Sequence, residues 1–291
     1  MTPRLNTFAI FHLNLAFSSI EVEQRATVVE RCYWPLLRLV RKHRIPVGIE
    51  ASGFTLEEID TIDPGWISEL RSLLEDGLVE FVGAGYAQLI GPLVPAQVNQ
   101  ANLRVGHDVY ERMLGVRPQI ALVNEQAYSV GLIQGYLDAG YSALFMEWDN
   151  PAMAHPEWDP SWRYYPQIAC GQHGERIDML WNHSTSFQKF QRYVHGDMEL
   201  AEYMTYLRTH IGDTERLFPV YGNDIEIFDF RPGRFEAEAA IEHSEWERID
   251  LLLQSIGAEP DCGWISPRAA LAMGRAAQGG RELSLESPEL P

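Results

Sequence analysis

The sequence predicts an α/β fold, a (β/α)7 barrel with a short C-terminal helical extension, and three observations carry that expectation. Seven short apolar runs rich in β-branched and aromatic residues alternate with longer amphipathic stretches, the pattern of a parallel sheet with helical crossovers. The first run lacks the glycine-rich turn that nucleotide-binding open sheets carry, which disfavours the doubly wound alternative. Polar residues collect where the apolar runs end, as they do around the mouth of a parallel barrel.

The elements follow in order. Thr7–Phe17 is nearly continuous in apolar residues, as strands buried on both faces are. Alternation puts Ile10, His12, Asn14 and Ala16 on one face and Phe11, Leu13 and Leu15 on the other. Glu21 to His43 reads as a helix, Pro46–Ser52 as the second strand, and the region Pro64–Glu75 as helical. Val79–Tyr86 is the third strand. Pro95–Leu114 is a helix with Gly115 just past its end and Pro118 beyond, the usual stop signals. Gln119–Ala127 is the fourth strand, followed by a helix to Ala139, and Ala143–Trp148 is the fifth. A long excursion, Asp149–Gln172, carries Trp158, Trp162, Tyr164 and Tyr165 among four prolines. Asp178–His183 and Leu217–Asp224 complete the strands, with a helix at Met198–Thr209 between them and another at Ala237–Ile256. The expected organisation is a barrel over 1–235, a helical extension packed on it over 236–275, and a flexible tail over 276–291.

A chain of 291 residues can bury one large core. Its net charge of −18, with no clustered Lys or Arg, argues against nucleic acid or an anionic membrane as partner. The apolar segment Thr7–Phe17 is interrupted by His12 and Asn14 and leads to no small-residue cleavage site, so it does not read as a signal peptide. No run approaches the roughly 20 apolar residues of a membrane span. Cys32, Cys170 and Cys262 form no CxxC pair and read as reduced thiols of a cytoplasmic protein. Oligomerisation is left open.

The strand ends supply His12 and Asn14, Glu50, Gln88, Glu125, Glu147 with Trp148, Asn182 with His183, and Asp224. In a barrel these share one cavity. Paired carboxylates with nearby aromatic rings suit glycoside hydrolysis, in which one carboxylate attacks or acts as base and the other donates a proton. The tryptophan-rich excursion would supply the rings. The bland alternative is a loop that packs down on the core. The nine histidines form no HxH, HxxxH or HExxH, so a metal site would have to be dispersed, with His12 and His183 as ligands. No GxSxG elbow and no P-loop occur.

Placed in order at strand ends, several short stretches resemble glycoside hydrolase family 57, over roughly residues 7 to 257. They are His12-Leu13-Asn14, the stretch Val79 to Gln88 with its Gly83-Ala84-Gly85-Tyr86 core, Leu122-Val123-Asn124-Glu125-Gln126-Ala127-Tyr128, the helix end Leu137 to Tyr141, and Asp224-Ile225-Glu226-Ile227-Phe228. The resemblance implies a seven-stranded barrel and retaining cleavage of α-linked sugars, probing α-glucans first, with hydrolysis and transglycosylation as its two outcomes. It implies Glu125 as nucleophile and Asp224 as general acid/base, with no cofactor and no metal. His12, Asn14, Glu50, Gln88, Trp148, Trp181, His183 and Glu226 are expected to bind the carbohydrate substrate.

The chain departs from that family in three ways. The usual histidine-glutamine-proline of the first motif is absent, Gln88 stands where a glutamate is usual, and the large helical C-terminal region is reduced to residues 237–275. These departures keep two alternatives in view: a catalytically silent carbohydrate-binding barrel and a metal-dependent polysaccharide deacetylase.

Overall fold

The computed structural model describes residues 4–231, 245–278 and 281–285. Seven parallel strands form the centre: β1 (Leu5–Leu13), β2 (Val47–Ala51), β3 (Val79–Val82), β4 (Ile120–Leu122), β5 (Ala143–Glu147), β7 (Arg176–Asn182) and β8 (Arg216–Asp224). Three additions were not expected. They are β6 (Gln167–Cys170), antiparallel to β7, β9 (Cys262–Trp264), parallel to β1, and β10 (Glu282–Leu283), parallel to β6. The helices are α1 (Arg25–Val28), α2 (Trp34–His43), α3 (Gly53–Ile62), α4 (Pro64–Glu75), α5 (Ala96–Leu114), α6 (Leu132–Ala139), α7 (Asp149–Ala154), α8 (Ser184–Val194), α9 (Leu200–Arg208), α10 (Glu245–Ala258) and α11 (Pro267–Gln278).

The strands run in two arcs, β3-β2-β1-β8 and β7-β5-β4. Backbone hydrogen bonds join β3 to β4, from Gly83 N–H to Ile120 O (2.9 Å) and from Leu122 N–H to Gly83 O (2.8 Å). Between β7 and β8 no ladder forms among the described residues. Instead the Asn182 amide donates to Gly222 O at 2.7 Å across that seam. Gly222 has to be glycine here, because a Cβ would collide with the Asn182 side chain.

Strand alternation decides what the arcs enclose. Phe8 and Ile10 of β1, Val82 of β3, Ile120 and Leu122 of β4, Ala143 and Phe145 of β5, Leu180 of β7 and Leu217 of β8 form one apolar cluster. Six strands feeding one cluster is what a (β/α)7 barrel interior requires. The second strand contributes Gly48, where a Cβ would lie 2.7 Å from Ile10 Cγ1, so glycine lets that neighbour fill the interior. Ala270 and Leu271 of α11 join the same cluster, so this helix packs into one end of the barrel. Larger clusters lie outside the strands, beneath the surrounding helices.

Several expectations need correction. The strands β1, β3 and β4 end earlier than their apolar runs, at Leu13, Val82 and Leu122. The helices α3 and α8 were not foreseen, and Ala237 to Ser244 of the last expected helix, with the boundary at 235/236, lies outside the described residues. The tail expected to be loose is tied down at residues 281–285. There Arg281 O accepts the Ile168 N–H, β10 extends β6, and Leu283 and Leu285 are buried. Composition rich in Gly, Ser and Glu concealed two leucines that a sheet edge could cover.

Candidate active site

A cavity of about 260 Å³ opens at the carboxyl ends of the strands. His12 and Asn14 line it from the end of β1, Gln88 from the loop after β3, Glu125 and Gln126 from the loop after β4, and Glu147 from β5. Asn182 of β7 and Asn223 and Asp224 of β8 close the ring. Asn150, Ser184 and the Phe187 ring complete the rim, with Ile10, Leu122 and Phe145 as an apolar floor. Among the described residues, no Lys or Arg lines it.

The expected catalytic pair therefore lies on one cavity, one member on each arc. Glu125 is exposed and sits in left-handed backbone (φ 52°, ψ 19°), and Gln126 follows at φ 56°. Two successive non-glycine residues in that region cost about 1–3 kcal/mol each, a strain typical of sites where a side chain must be aimed. The Gln126 side chain offsets part of it by accepting the Glu147 N–H at 2.8 Å. The Glu125 carboxylate accepts a hydrogen bond from Gln88 Nε2 at 3.3 Å. Asp224 is partly exposed, and its Oδ1 lies 3.7 Å from His12 Nε2.

His12 is buried, and its Nδ1 bonds Glu50, whose carboxylate is fully buried behind it. Burial lowers the His12 pKa, favouring the neutral ring. Glu50 was expected to touch substrate, but it reaches the cavity only through His12. Glu226 is likewise sealed off. It accepts from the Asn14 N–H at 2.5 Å and from the Tyr33 hydroxyl, and its carboxyl is pushed up to about 8 by burial and then by the Asp224 charge. A π-helical turn at Val29–Tyr33 turns Cys32 and Tyr33 inward against this loop.

Three expected substrate contacts point elsewhere. Trp148 and Trp181 pack against each other outside the strands (ring centroids 5.2 Å), and Trp158 covers Trp148 at 5.4 Å. His183 is buried edge-on to Phe218 and donates from Nε2 to the Arg163 carbonyl at 3.2 Å; burial takes its pKa to about 3. Strand alternation already held the correction. Ala143, Phe145 and Glu147 share one face of β5, which puts Trp148 on the other, and Leu180 with Asn182 likewise excludes Trp181 and His183. The excursion's aromatics pack down as well: Trp158 stacks on His155 at 4.4 Å and Tyr164 bonds His210 at 2.8 Å. The ring at the rim is Phe187, on the unforeseen helix α8.

Glu147, expected among the strand ends that share the cavity but not among the substrate-binding residues, lines its wall. Its Oε1 accepts from the Ser184 N–H (2.7 Å) and the Asp149 N–H (3.3 Å), while Oε2 is buried without a partner among the described residues. Its carboxyl is raised to about 7, chiefly by burial. Among the described residues no three His, Cys, Asp or Glu side chains come together as a metal-binding group, and His12 and His183 do not converge.

A family model for glycosyl hydrolase family 57 matches residues 6–244. The chain belongs to that family. It is 23% identical over 209 residues to an α-amylase of Pyrococcus furiosus, covering 71% of this chain and 31% of the relative. A 4-α-glucanotransferase of Thermococcus litoralis is 23% identical over 208 residues, covering 71% of this chain and 30% of that protein. The chain thus spans about a third of the length of the curated relatives it matches. The solved structure of the Thermococcus litoralis enzyme superposes with a TM-score of 0.78 at 19% identity, covering 99% of this chain and 43% of that one. A putative polysaccharide deacetylase from Mycobacterium smegmatis superposes at 0.70 and 12% identity, covering 100% and 96%. At such identities the superpositions establish a shared fold.

Proposed function

We propose that this family 57 chain cleaves α-linked glucans with retention, Glu125 acting as nucleophile and Asp224 as general acid/base. The observation that carries the reading is the placement of these two carboxylates on opposite arcs of one cavity, each beside the same His12–Gln88 pair. A Glu125 oxygen attacks the anomeric carbon as its bond to the leaving oxygen breaks, and that oxygen takes the Asp224 proton. Asp224 then removes a proton from water or a sugar hydroxyl, whose oxygen attacks the same carbon and releases Glu125. Two inversions give retention. Water gives hydrolysis and a sugar gives transfer, depending on how far water is excluded. The names of the relatives, α-amylase and 4-α-glucanotransferase, support an α-glucan substrate. The described part of the cavity wall, which carries no Lys or Arg, suits a neutral sugar.

A cytoplasmic location belongs to the same proposal. Its support is that Cys32, Cys170 and Cys262 are free thiols, and that no helix among the described residues is long and apolar enough to cross a membrane.

The test is a thin-layer screen of α-glucans and α-galactosides with the wild type and Glu125→Gln. Turnover of an α-glucan by the wild type, falling about a thousand-fold or more in the variant while oligosaccharide binding persists, is the expected result. A wild type that binds maltooligosaccharides without turning them over would instead identify a silent binding barrel.

A further inference from the structure

The polar groups under the nucleophile form a chain whose hydrogen-bond directions can be assigned one by one. It begins at Glu50, fully buried, whose Oε2 faces His12 Nδ1. A carboxylate only accepts, so Nδ1 carries the proton. In a neutral imidazole the other nitrogen, Nε2, is then an acceptor. Gln88 Nε2 lies 3.3 Å from that nitrogen and 3.3 Å from Glu125 Oε1. An amide nitrogen has two hydrogens, one for each acceptor. The flipped amide would set its oxygen against the Glu125 carboxylate and the His12 lone pair, a doubly repulsive arrangement.

We propose that Glu50, His12 and Gln88 act as a directional relay that holds an amide donor on the Glu125 carboxylate, with Gln88 and Glu50 as positioning residues for the nucleophile. The polarity originates at Glu50. It fixes the histidine tautomer, the tautomer fixes the amide, and the amide fixes the carboxylate oxygen not needed for attack. This proposal rests on Glu125 being the nucleophile. It also accounts for the amide at position 88: a glutamate there could donate to neither neighbour, so His12 would have to carry a second proton to bridge two carboxylates.

Other charged groups face the relay. Asp224 Oδ1 from β8 lies 3.7 Å from His12 Nε2, outside hydrogen-bond range, and Glu147 lines the cavity from β5. Glu226 is sealed behind Asn14. All are acidic, so among the described lining residues an added carboxylate at position 88 is met only by a proton taken up on His12.

The first experiment reads the relay without turnover. In protein carrying ¹⁵N-labelled histidine, with the His12 signals assigned through His12→Asn, the wild type is expected to show a protonated Nδ1 and an unprotonated Nε2. In Gln88→Glu the Nε2 becomes protonated as well. In Glu50→Gln the single tautomer is replaced by a mixture. A protonated Nε2 in the wild type, or unchanged His12 signals in Gln88→Glu, overturns the relay. Gln88→Glu decides the matter if the buried Glu50→Gln variant fails to fold.

The second experiment uses 5-fluoro-α-glucosyl fluoride and intact-mass detection of the Glu125 adduct. Gln88→Glu, which removes the donor on Glu125, is expected to slow labelling about ten-fold across the pH range, because a hydrogen bond to a charged group is lost. An unchanged labelling rate would show that Gln88 has no hold on Glu125. If the wild type forms no adduct at any pH, the nucleophile assignment fails, and the histidine tautomer still decides whether the relay exists.

Discussion

The two arcs of the barrel treat their polar strand ends differently. On the β8-β1-β2 side two buried carboxylates are tied up, Glu50 on His12, and Glu226 on Tyr33 and the Asn14 backbone, while Asp224 is partly exposed at the cavity. On the β4-β5-β7 side Glu125 is exposed on left-handed backbone, and Glu147 is buried and held through Oε1 by the Ser184 and Asp149 N–H groups. Both arcs send large aromatic residues outward, Phe11 and Tyr221 from the first. The second arc sends Trp148 and Trp181 outward into its own core. The first arc thus ties its buried carboxylates to side chains of other elements, His12 and Tyr33, whereas the second ties Glu147 to backbone N–H groups.

Three substitutions can break or sharpen this contrast. The largest effect should come from Trp148→Ala, which empties a buried site between Trp158 and Trp181. A loss of about 3–5 kcal/mol in urea unfolding is expected, with KM for maltooligosaccharides unchanged. A raised KM at unchanged stability would return this ring to the cleft.

Next comes Glu226→Gln, which tests the sealed wall through pH. The folded carboxyl titrates at about 8, above the roughly 4.3 of an unfolded glutamate. The folded state therefore holds the proton more tightly, and wild-type stability declines as pH rises from the lower value to the higher, then levels off. Glutamine keeps the Oε1 acceptor for Asn14 and Tyr33 but cannot ionise. The variant should match the wild type near pH 4 and exceed it by about 4 kcal/mol at pH 8. Parallel stability curves across that range would mean that Glu226 is already paired or solvated when ionised.

The smallest effect is expected for Glu147→Gln. It preserves the Oε1 bonds to Ser184 and Asp149 but alters the group facing the cavity. Losing one hydrogen bond to a sugar hydroxyl is worth about 1 kcal/mol, roughly a five-fold rise in KM with little change in kcat. A dominant fall in kcat would move Glu147 into the reacting machinery.

Much of this was legible in the chain. The seven apolar runs, the helix stop at Gly115 and the short motifs around Glu125 and Asp224 all follow from local pattern. So did the shared face of Ile10, His12 and Asn14, which line the cavity together. Where expectation failed locally, as with Trp148, Trp181 and His183, the strand's two-residue period was available and was outweighed by residue type. A tryptophan beside a candidate carboxylate suggested a sugar platform, although the pleat had turned it to the other side.

What the sequence alone determined is periodicity, and with it the face each strand residue takes, because side-chain direction alternates within a strand whatever its partners are. What only the tertiary structure decided is company. Nothing local to Glu50 says that His12, 38 residues away, will cover it, or that Tyr33 will reach Glu226 across 193 residues. Nor does helix propensity say that α11 will carry Ala270 and Leu271 into the barrel. Burial, proton position and access to the cavity depend on which distant strand ends become neighbours, and that is settled only when the arcs curve around one core.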